Sequence, residues 1–278
     1  MPTRKSVLIT GCSSGIGRCI ALGLADRGFR VFATVRNEND IDELIHLGLE
    51  SLQLDLNSSK SISKAVVEIL GRTNGELYAL INNGAYEQIG AVEDLSREVL
   101  RFQLETNLLG TLELTTKLIP VFRALGGGRI IQISSILGLV CLPYRGAYQA
   151  SKFALEALSD TMRLELHSTG VFVSVIEPGP IKSRFRLNAF QYYKANIGNE
   201  NNAYKKRYQQ VEQRLQSDTE LPFTLSPDAV LSKVLHALES PNPRARYRVT
   251  LPAHVLAILS RLLPDRWFDR LALRFGDK

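Results

Sequence analysis

The sequence is poor in the residues that build metal centres and disulfide frameworks. Its 278 residues include three cysteines, Cys12, Cys19 and Cys141, and four histidines, His46, His167, His236 and His254. An odd number of cysteines at irregular spacing gives no disulfide scaffold. Histidines so far apart give no metal-ligand pattern, so no metal is expected. A reducing cytoplasm is the expected compartment. No stretch approaches the roughly 20 apolar residues of a transmembrane helix. The run Val7-Leu8-Ile9 behind the positive start Met1-Pro2-Thr3-Arg4-Lys5 is too short for a signal peptide.

Charge is also scarce as an overall imbalance, at +6. Its distribution says more. Residues 1–178 carry 17 Lys and Arg against 19 Asp and Glu, whereas residues 179–278 carry 17 against 9. The excess positive charge therefore belongs to the last hundred residues. It has three readings: a solvated basic surface, a site for anionic substrates, or a membrane-facing surface. No nucleic-acid partner is expected.

What is present is an alternation of short apolar runs and helical periodicity. Strands are expected at 6–10, 30–35, 51–54, 77–81, 129–134 and 171–176, with a last one at 247–250. Helices are expected at 15–27, 58–72, 96–122, 147–168 and 226–238, the last with Ser226 as N-cap and Pro227 at N1. Continuous apolar strands between helices imply a parallel sheet covered on both faces, with right-handed crossovers. The expected fold is an α/β, doubly wound, Rossmann-like sheet of about seven strands forming one domain over 1–278. Residues 184–225 break the pattern. They are polar, aromatic and charged, and read as a mobile, partly helical excursion above the sheet. Residues 253–275 read as amphipathic helices broken at Pro264. Leu256, Leu259, Leu262 and Leu263 share a face there, and Trp267, Phe268, Leu271 and Phe275 continue it, with Arg261, Arg266, Arg270 and Arg274 nearby. Packing over the substrate pocket or against another subunit is expected ahead of membrane contact.

Thr10-Gly11-Cys12-Ser13-Ser14-Gly15-Ile16-Gly17 joins the first strand to the first helix. Glycines permit a tight turn there, and the helix N-terminus offers N–H groups to a pyrophosphate. The second strand ends Val35-Arg36. An acid at that place would bind the 2′-OH of NAD, whereas a guanidinium pairs with a 2′-phosphate. NADP(H) is therefore the expected cofactor, with Ser13 adding a hydroxyl. Tyr148 and Lys152 lie four apart, on one face of a helix. A nearby ammonium favours the phenolate, which moves a pKa of about 10 toward a useful range. Ser135 precedes Tyr148 by thirteen residues, at the end of a strand.

The T-G-x-x-x-G-x-G loop, the Ser135 to Tyr148 spacing and Tyr-x-x-x-Lys together resemble the short-chain dehydrogenase/reductase family. The resemblance is strong over residues 6–183 and looks closest to NADP(H)-dependent bacterial aldehyde reductases, beside the steroid and retinol dehydrogenase-like branch. It implies that Tyr148 donates or takes the proton, Lys152 lowers its pKa and binds the nicotinamide ribose, Ser135 holds the substrate oxygen, and Asn107 completes a tetrad by holding a water. It also implies cofactor contacts from Ser14, Gly15, Ile16 and Gly17. Asp55 would meet the adenine amino group, with the backbone of Leu56 beside it. Asn82 would lie beside the adenine ribose, and Pro178, Gly179, Ile181 and Ser183 would line the nicotinamide. One departure is Asn82-Asn83-Gly84-Ala85, where the family has N-N-A-G. The implied activity is carbonyl reduction with NADPH on a small molecule. The alternatives are an oxidative alcohol, retinol or hydroxysteroid dehydrogenase, and a dinucleotide-sensing protein without turnover. Relatives pair through the helices carrying Asn107 and Tyr148, which implies a homodimer or homotetramer.

Overall fold

The computed structural model describes residues 4–197, 203–217 and 219–276. The polar run Asn199-Glu200-Asn201-Asn202, the first three residues and the side chain of Phe275 lie outside them.

Seven parallel strands form one sheet in the order β3-β2-β1-β4-β5-β6-β7. They are β1 Ser6–Ile9, β2 Arg30–Val35, β3 Glu50–Gln53, β4 Ala79–Asn82, β5 Gly128–Ile133, β6 Val171–Glu177 and β7 Arg246–Arg248. Every residue of β1 and β4 is buried, as expected of strands with helices on both faces. On one face α1 (Gly15–Asp26), α2 (Ile41–His46) and α9 (Asp228–Glu239) close a core around Ile9, Ile20, Leu24, Ile81 and Val234. On the other, α3 (Ser59–Arg72), α5 (Gly110–Ala124) and α6 (Gly146–Glu165) bury Leu8, Phe32, Leu80, Phe122 and Met162. Chain order reverses between β1 and β4. The crevice above their carboxyl ends is where doubly wound sheets bind ligands.

The long helix expected at 96–122 is divided. α4 (Arg97–Leu104) gives way to a π turn at Glu105–Leu109 before α5 begins. The Thr106 hydroxyl donates to Phe102 O at 3.2 Å, a back-bond of the kind that bends helices. The α9 cap also differs from expectation. Pro227 is the N-cap and its helix starts at Asp228; the Ser226 hydroxyl donates to Asp228 Oδ2 at 2.9 Å instead of accepting from a backbone N–H. α2 was not expected.

The excursion forms α7 (Phe185–Ile197) and α8 (Lys205–Gln216), which share an aromatic cluster with Ile89 and Ala91. α10 (Leu251–Leu262) and α11 (Asp265–Gly276) follow. Ala253, Leu256 and Ala257 pack on Tyr148, Ile136, Leu137 and Val140, and Phe268 and Leu271 close against them. The buried face is thus rotated from the one expected. Leu262 is 74% exposed and Trp267 65%. Among the described residues no helix is long and apolar enough to cross a membrane.

Candidate active site

The carboxyl ends of β1 and β4 carry the two loops that form the floor of the crevice. Gly11 has a φ of +70°, and a Cβ on Gly17 would stand 2.2 Å from Gly11 O. Any side chain at Gly17 would force α1 away from the loop. Asn83 Nδ2 donates to the carbonyls of Thr10 and Gly11 at 2.9 Å each, and Thr10 Oγ1 accepts from Asn83 N and Gly84 N. The two loops are therefore stitched together by Asn83 and Thr10, whose part was not foreseen; only their place beside the glycines of the two loops hinted at it. A Cβ on Gly11 would meet Gly84 Cα at 2.7 Å, whereas one on Gly84 would find its nearest neighbour, Leu56 Cδ1, at 3.2 Å. The exchanged Gly84-Ala85 pair thus seats the glycine loop as closely as it needs.

Ser14 caps α1 in extended conformation with no side-chain hydrogen bond to the first turn, so the N–H groups there are left for an anion. Gly15 (φ +56°) faces Ser183, whose Cβ would stand 2.9 Å from an added Cβ. Ser13 and Ile16 complete this loop at its half-buried surface. The far side of the crevice is the segment after β6. Pro178 O accepts from Ile136 N at 2.9 Å, Gly179 sits tight against Thr250, and Ile181 bridges to Leu225.

At the end of β2, Arg36 is exposed and donates to Tyr192 Oη of α7 at 2.8 Å. Tyr192 in turn lies against Tyr86, with ring centroids 4.1 Å apart. Asp55 Oδ1 accepts from Asn57 N at 3.0 Å, a turn-forming bond. Leu56 is buried beside Gly110 and Gly84. Asn82 is buried and donates to Thr115 Oγ1 of α5 at 2.8 Å, and its Oδ1 has no partner among the described residues.

Ser135 follows β5 and heads a short 3-10 turn, accepting from Leu137 N at 3.1 Å. Tyr148 and Lys152 lie in the first two turns of α6, and both are buried. Lys152 Nζ donates to Ile133 O at 2.8 Å and stands 5.7 Å from the Tyr148 ring centroid. Burial pushes the Tyr148 phenol above its ordinary value, and Glu87 adds to this; the Ser135 hydroxyl and Arg145 pull it back. Burial also brings Lys152 down to about 8, against the pull of Glu156. The phenol is pulled down by Ser135 and Arg145 and not, as expected, by Lys152, and desolvation, which penalises the charged form of both groups, outweighs them. Asn107 sits on the π turn, a device that recurs at functional sites. Its Nδ2 donates to Tyr86 O at 2.9 Å and Ser151 Oγ at 3.1 Å, while Oδ1 accepts from Tyr86 N at 3.1 Å. The side chain thereby ties the α4–α5 bend to α6 one residue before Lys152. The structure thus brings Ser135, Tyr148, Lys152 and Asn107 into one place, beside the glycine loop.

Residues 5–194 match the family model described as short chain dehydrogenase. The uncharacterized oxidoreductase YbbO of Escherichia coli (strain K12) is 41% identical over 268 residues, 96% of this chain and 94% of that one. The NADPH-dependent 3-dehydrocapnine reductase of Ornithobacterium rhinotracheale is 33% identical, covering 96% and 95%. Among solved structures, a short-chain dehydrogenase from Streptomyces avermitilis superposes with a TM-score of 0.78 at 26% identity, over 98% of both chains. Family match, sheet order and clustered tetrad agree, and the chain belongs to the short-chain dehydrogenase/reductase family.

Proposed function

We propose that this protein is a cytoplasmic, NADP(H)-dependent oxidoreductase that reduces a small aldehyde or ketone, with Tyr148 as general acid. The observation that carries this reading is the convergence of Ser135, Tyr148 and Lys152 beside a glycine cradle whose helix N-terminus has no side-chain cap. The cradle fits a dinucleotide. Gly11, Gly15 and Gly17 leave no room for side chains, and the start of α1 offers its N–H groups to a pyrophosphate. Val35 in place of an acid, and the exposed guanidinium of Arg36, favour a 2′-phosphate. The NADPH dependence of the related 3-dehydrocapnine reductase supports the same choice.

When bound, NADPH supplies the hydride. The chain supplies alignment and the proton. The Ser135 hydroxyl donates to the substrate oxygen and stabilises its growing negative charge. Tyr148, protonated because burial holds its pKa high, donates its phenolic proton to that oxygen. Lys152 is the neighbouring charge that steadies the phenolate left behind. Asn107 holds the helix bend against Ser151 and so fixes the register of α6. Phe185, whose ring lies 5.7 Å from that of Tyr148, excludes water from the site. Exposed Phe102, Leu109 and Phe153 on α4, the π turn and α6 support pairing into a homodimer or homotetramer through those elements.

The test is Tyr148→Phe. Turnover of an aldehyde panel with NADPH should vanish, while NADPH affinity stays within severalfold. Substantial carbonyl reduction by the purified variant would remove Tyr148 from the chemistry.

A further inference from the structure

Two arginines of the positively charged last hundred residues meet a third from earlier in the chain. A half-enclosed cavity of about 60 Å³ lies between the turn before α6 and helices α7 and α8. Arg145, Arg186 and Arg214 all line it. Its remaining wall is apolar, with Ile89, Leu142 and Leu215. Three guanidinium groups around so small a space repel one another and need an anion.

The anion is only partly provided by the chain. Arg145 pairs with buried Glu87. Arg186 donates through Nη1 to the carbonyls of Ser217 and Thr219, at 3.2 and 2.9 Å. Arg214 has neither a hydrogen bond nor an ion pair among the described residues. Desolvation, together with the charges of Arg145 and Arg186, brings it down to about 10, with Glu87 opposing. It remains a cation at neutral pH. Among the described residues one carboxylate therefore faces three guanidiniums, and Arg214 has no partner there.

The cavity wall is linked to the reacting groups through shared neighbours. Arg145 precedes Tyr148 by one helical turn, and its charge and that of Glu87 are both felt by the phenol. Leu142, in the cavity wall, also packs in the cluster that buries Tyr148. Phe185, beside Arg186, packs on the Tyr148 ring. A substrate whose carbonyl oxygen lies at Ser135 and Tyr148 can thus extend an arm into the arginine cavity. The cavity has room for a carboxylate.

We infer that the substrate is an oxo acid: a carbonyl compound whose aliphatic arm ends in a carboxylate held by Arg145, Arg186 and Arg214. This rests on the reductase reading above and narrows its substrate class. The guanidinium fork matches a carboxylate bidentately, and such charge-assisted bonds are the strong ones.

Matched pairs test it: succinic semialdehyde against butanal, and adipic semialdehyde against hexanal, each with NADPH. For at least one pair, kcat/KM of the wild type should favour the acid by tenfold or more. Arg214→Gln should lower kcat/KM for that acid by roughly ten- to a hundredfold, the loss expected for a charged hydrogen bond, mainly through KM. It should leave the neutral aldehyde within about threefold on the same scale. Arg214→Lys should restore part of the loss. Equal use of acid and neutral aldehyde by the wild type, or equal losses on both in Arg214→Gln, would overturn the inference. A second measurement separates this from the reductase reading. Hexanoate, but not hexanamide, should raise the melting temperature of the wild type, and the gain should disappear in Arg214→Gln. If that pattern holds without any turnover, the anion site stands and the reductase reading falls. If hexanoate and hexanamide act alike, the anion site is refuted whatever the kinetics.

Discussion

Replacing Lys152 by methionine should make the protein more stable and inactive at once. Lys152 is 3% exposed, and burial takes its pKa from an ordinary 10.5 to about 8. That displacement corresponds to roughly 3 kcal/mol of differential stability between the two protonation states. The sign follows from proton linkage. Between about pH 8 and pH 10.5 the unfolded chain binds this proton more tightly than the folded one, so wild-type stability rises with pH across that window. Below it the penalty of the buried charge is fully present. Methionine keeps the unbranched stem and removes the charge, at the loss of the 2.8 Å hydrogen bond from Nζ to Ile133 O. Such a bond contributes about 1 kcal/mol, and somewhat more when the donor is charged. Glu156 keeps Arg246, 3.0 Å away, as its partner. The net gain near pH 7 is then about 1–2 kcal/mol, or a few degrees in melting temperature for a chain of this size. The assay is denaturant and thermal unfolding of both proteins from about pH 7 to pH 10 without cofactor, beside steady-state turnover. The variant should lead near neutrality, the gap should narrow as pH rises, and turnover should be absent throughout. A variant less stable than the wild type near pH 7, or a gap that ignores pH, would refute the reasoning. The expected outcome is a local case of stability given up for function.

Two further outcomes follow from the crevice and its cover. Arg36→Ala should weaken NADPH binding by roughly ten- to a hundredfold and leave NADH nearly untouched, measured by fluorescence titration; equal losses for both would remove Arg36 from the 2′-phosphate. Deleting residues 264–278 strips Phe268 and Leu271 from the cluster around Tyr148, so substrate KM should rise severalfold while NADPH affinity holds. A matching fall in NADPH affinity would show that α11 supports the whole crevice and not its substrate side.

Local, periodic signals were legible in the sequence. β1, β2 and β4 are short apolar runs because both faces are covered, and such runs stand out. The glycine loop is readable because a missing side chain is a direct statement about backbone approach, as the 2.2 Å separation at Gly17 shows. Tyr148 and Lys152 are one turn apart, so their common face needed no tertiary knowledge. The π turn at Asn107 was invisible: one extra residue in a turn leaves the apolar period of α4 and α5 almost unchanged, and the Thr106 back-bond that accompanies it involves a residue ordinary in helices. The bonds of Asn83 to the glycine loop join positions some seventy residues apart, and no local pattern encodes them. Arg145, Arg186 and Arg214 come from three separate elements, so their convergence depends on how α7 and α8 dock. Leu256 of the expected face of α10 packs in the Tyr148 cluster, but Leu262 is exposed, because only the tertiary contact of Ala253 and Ala257 with that cluster sets the exact face buried.

The parallel sheet gives the molecule two unlike ends, which matters for handling it. Ser6 opens β1 at the amino edge of the strands, whereas Ser135, the glycine loop and α10 gather at the carboxyl edge. A purification handle, surface linker or fluorescent reporter joined ahead of β1 hangs from the blunt underside. One joined after α11 lies on the side where α10 packs against Tyr148. Immobilisation through the amino end should therefore leave that side clear, and attachment through the other end places bulk against Phe268 and Leu271, which close on the same cluster.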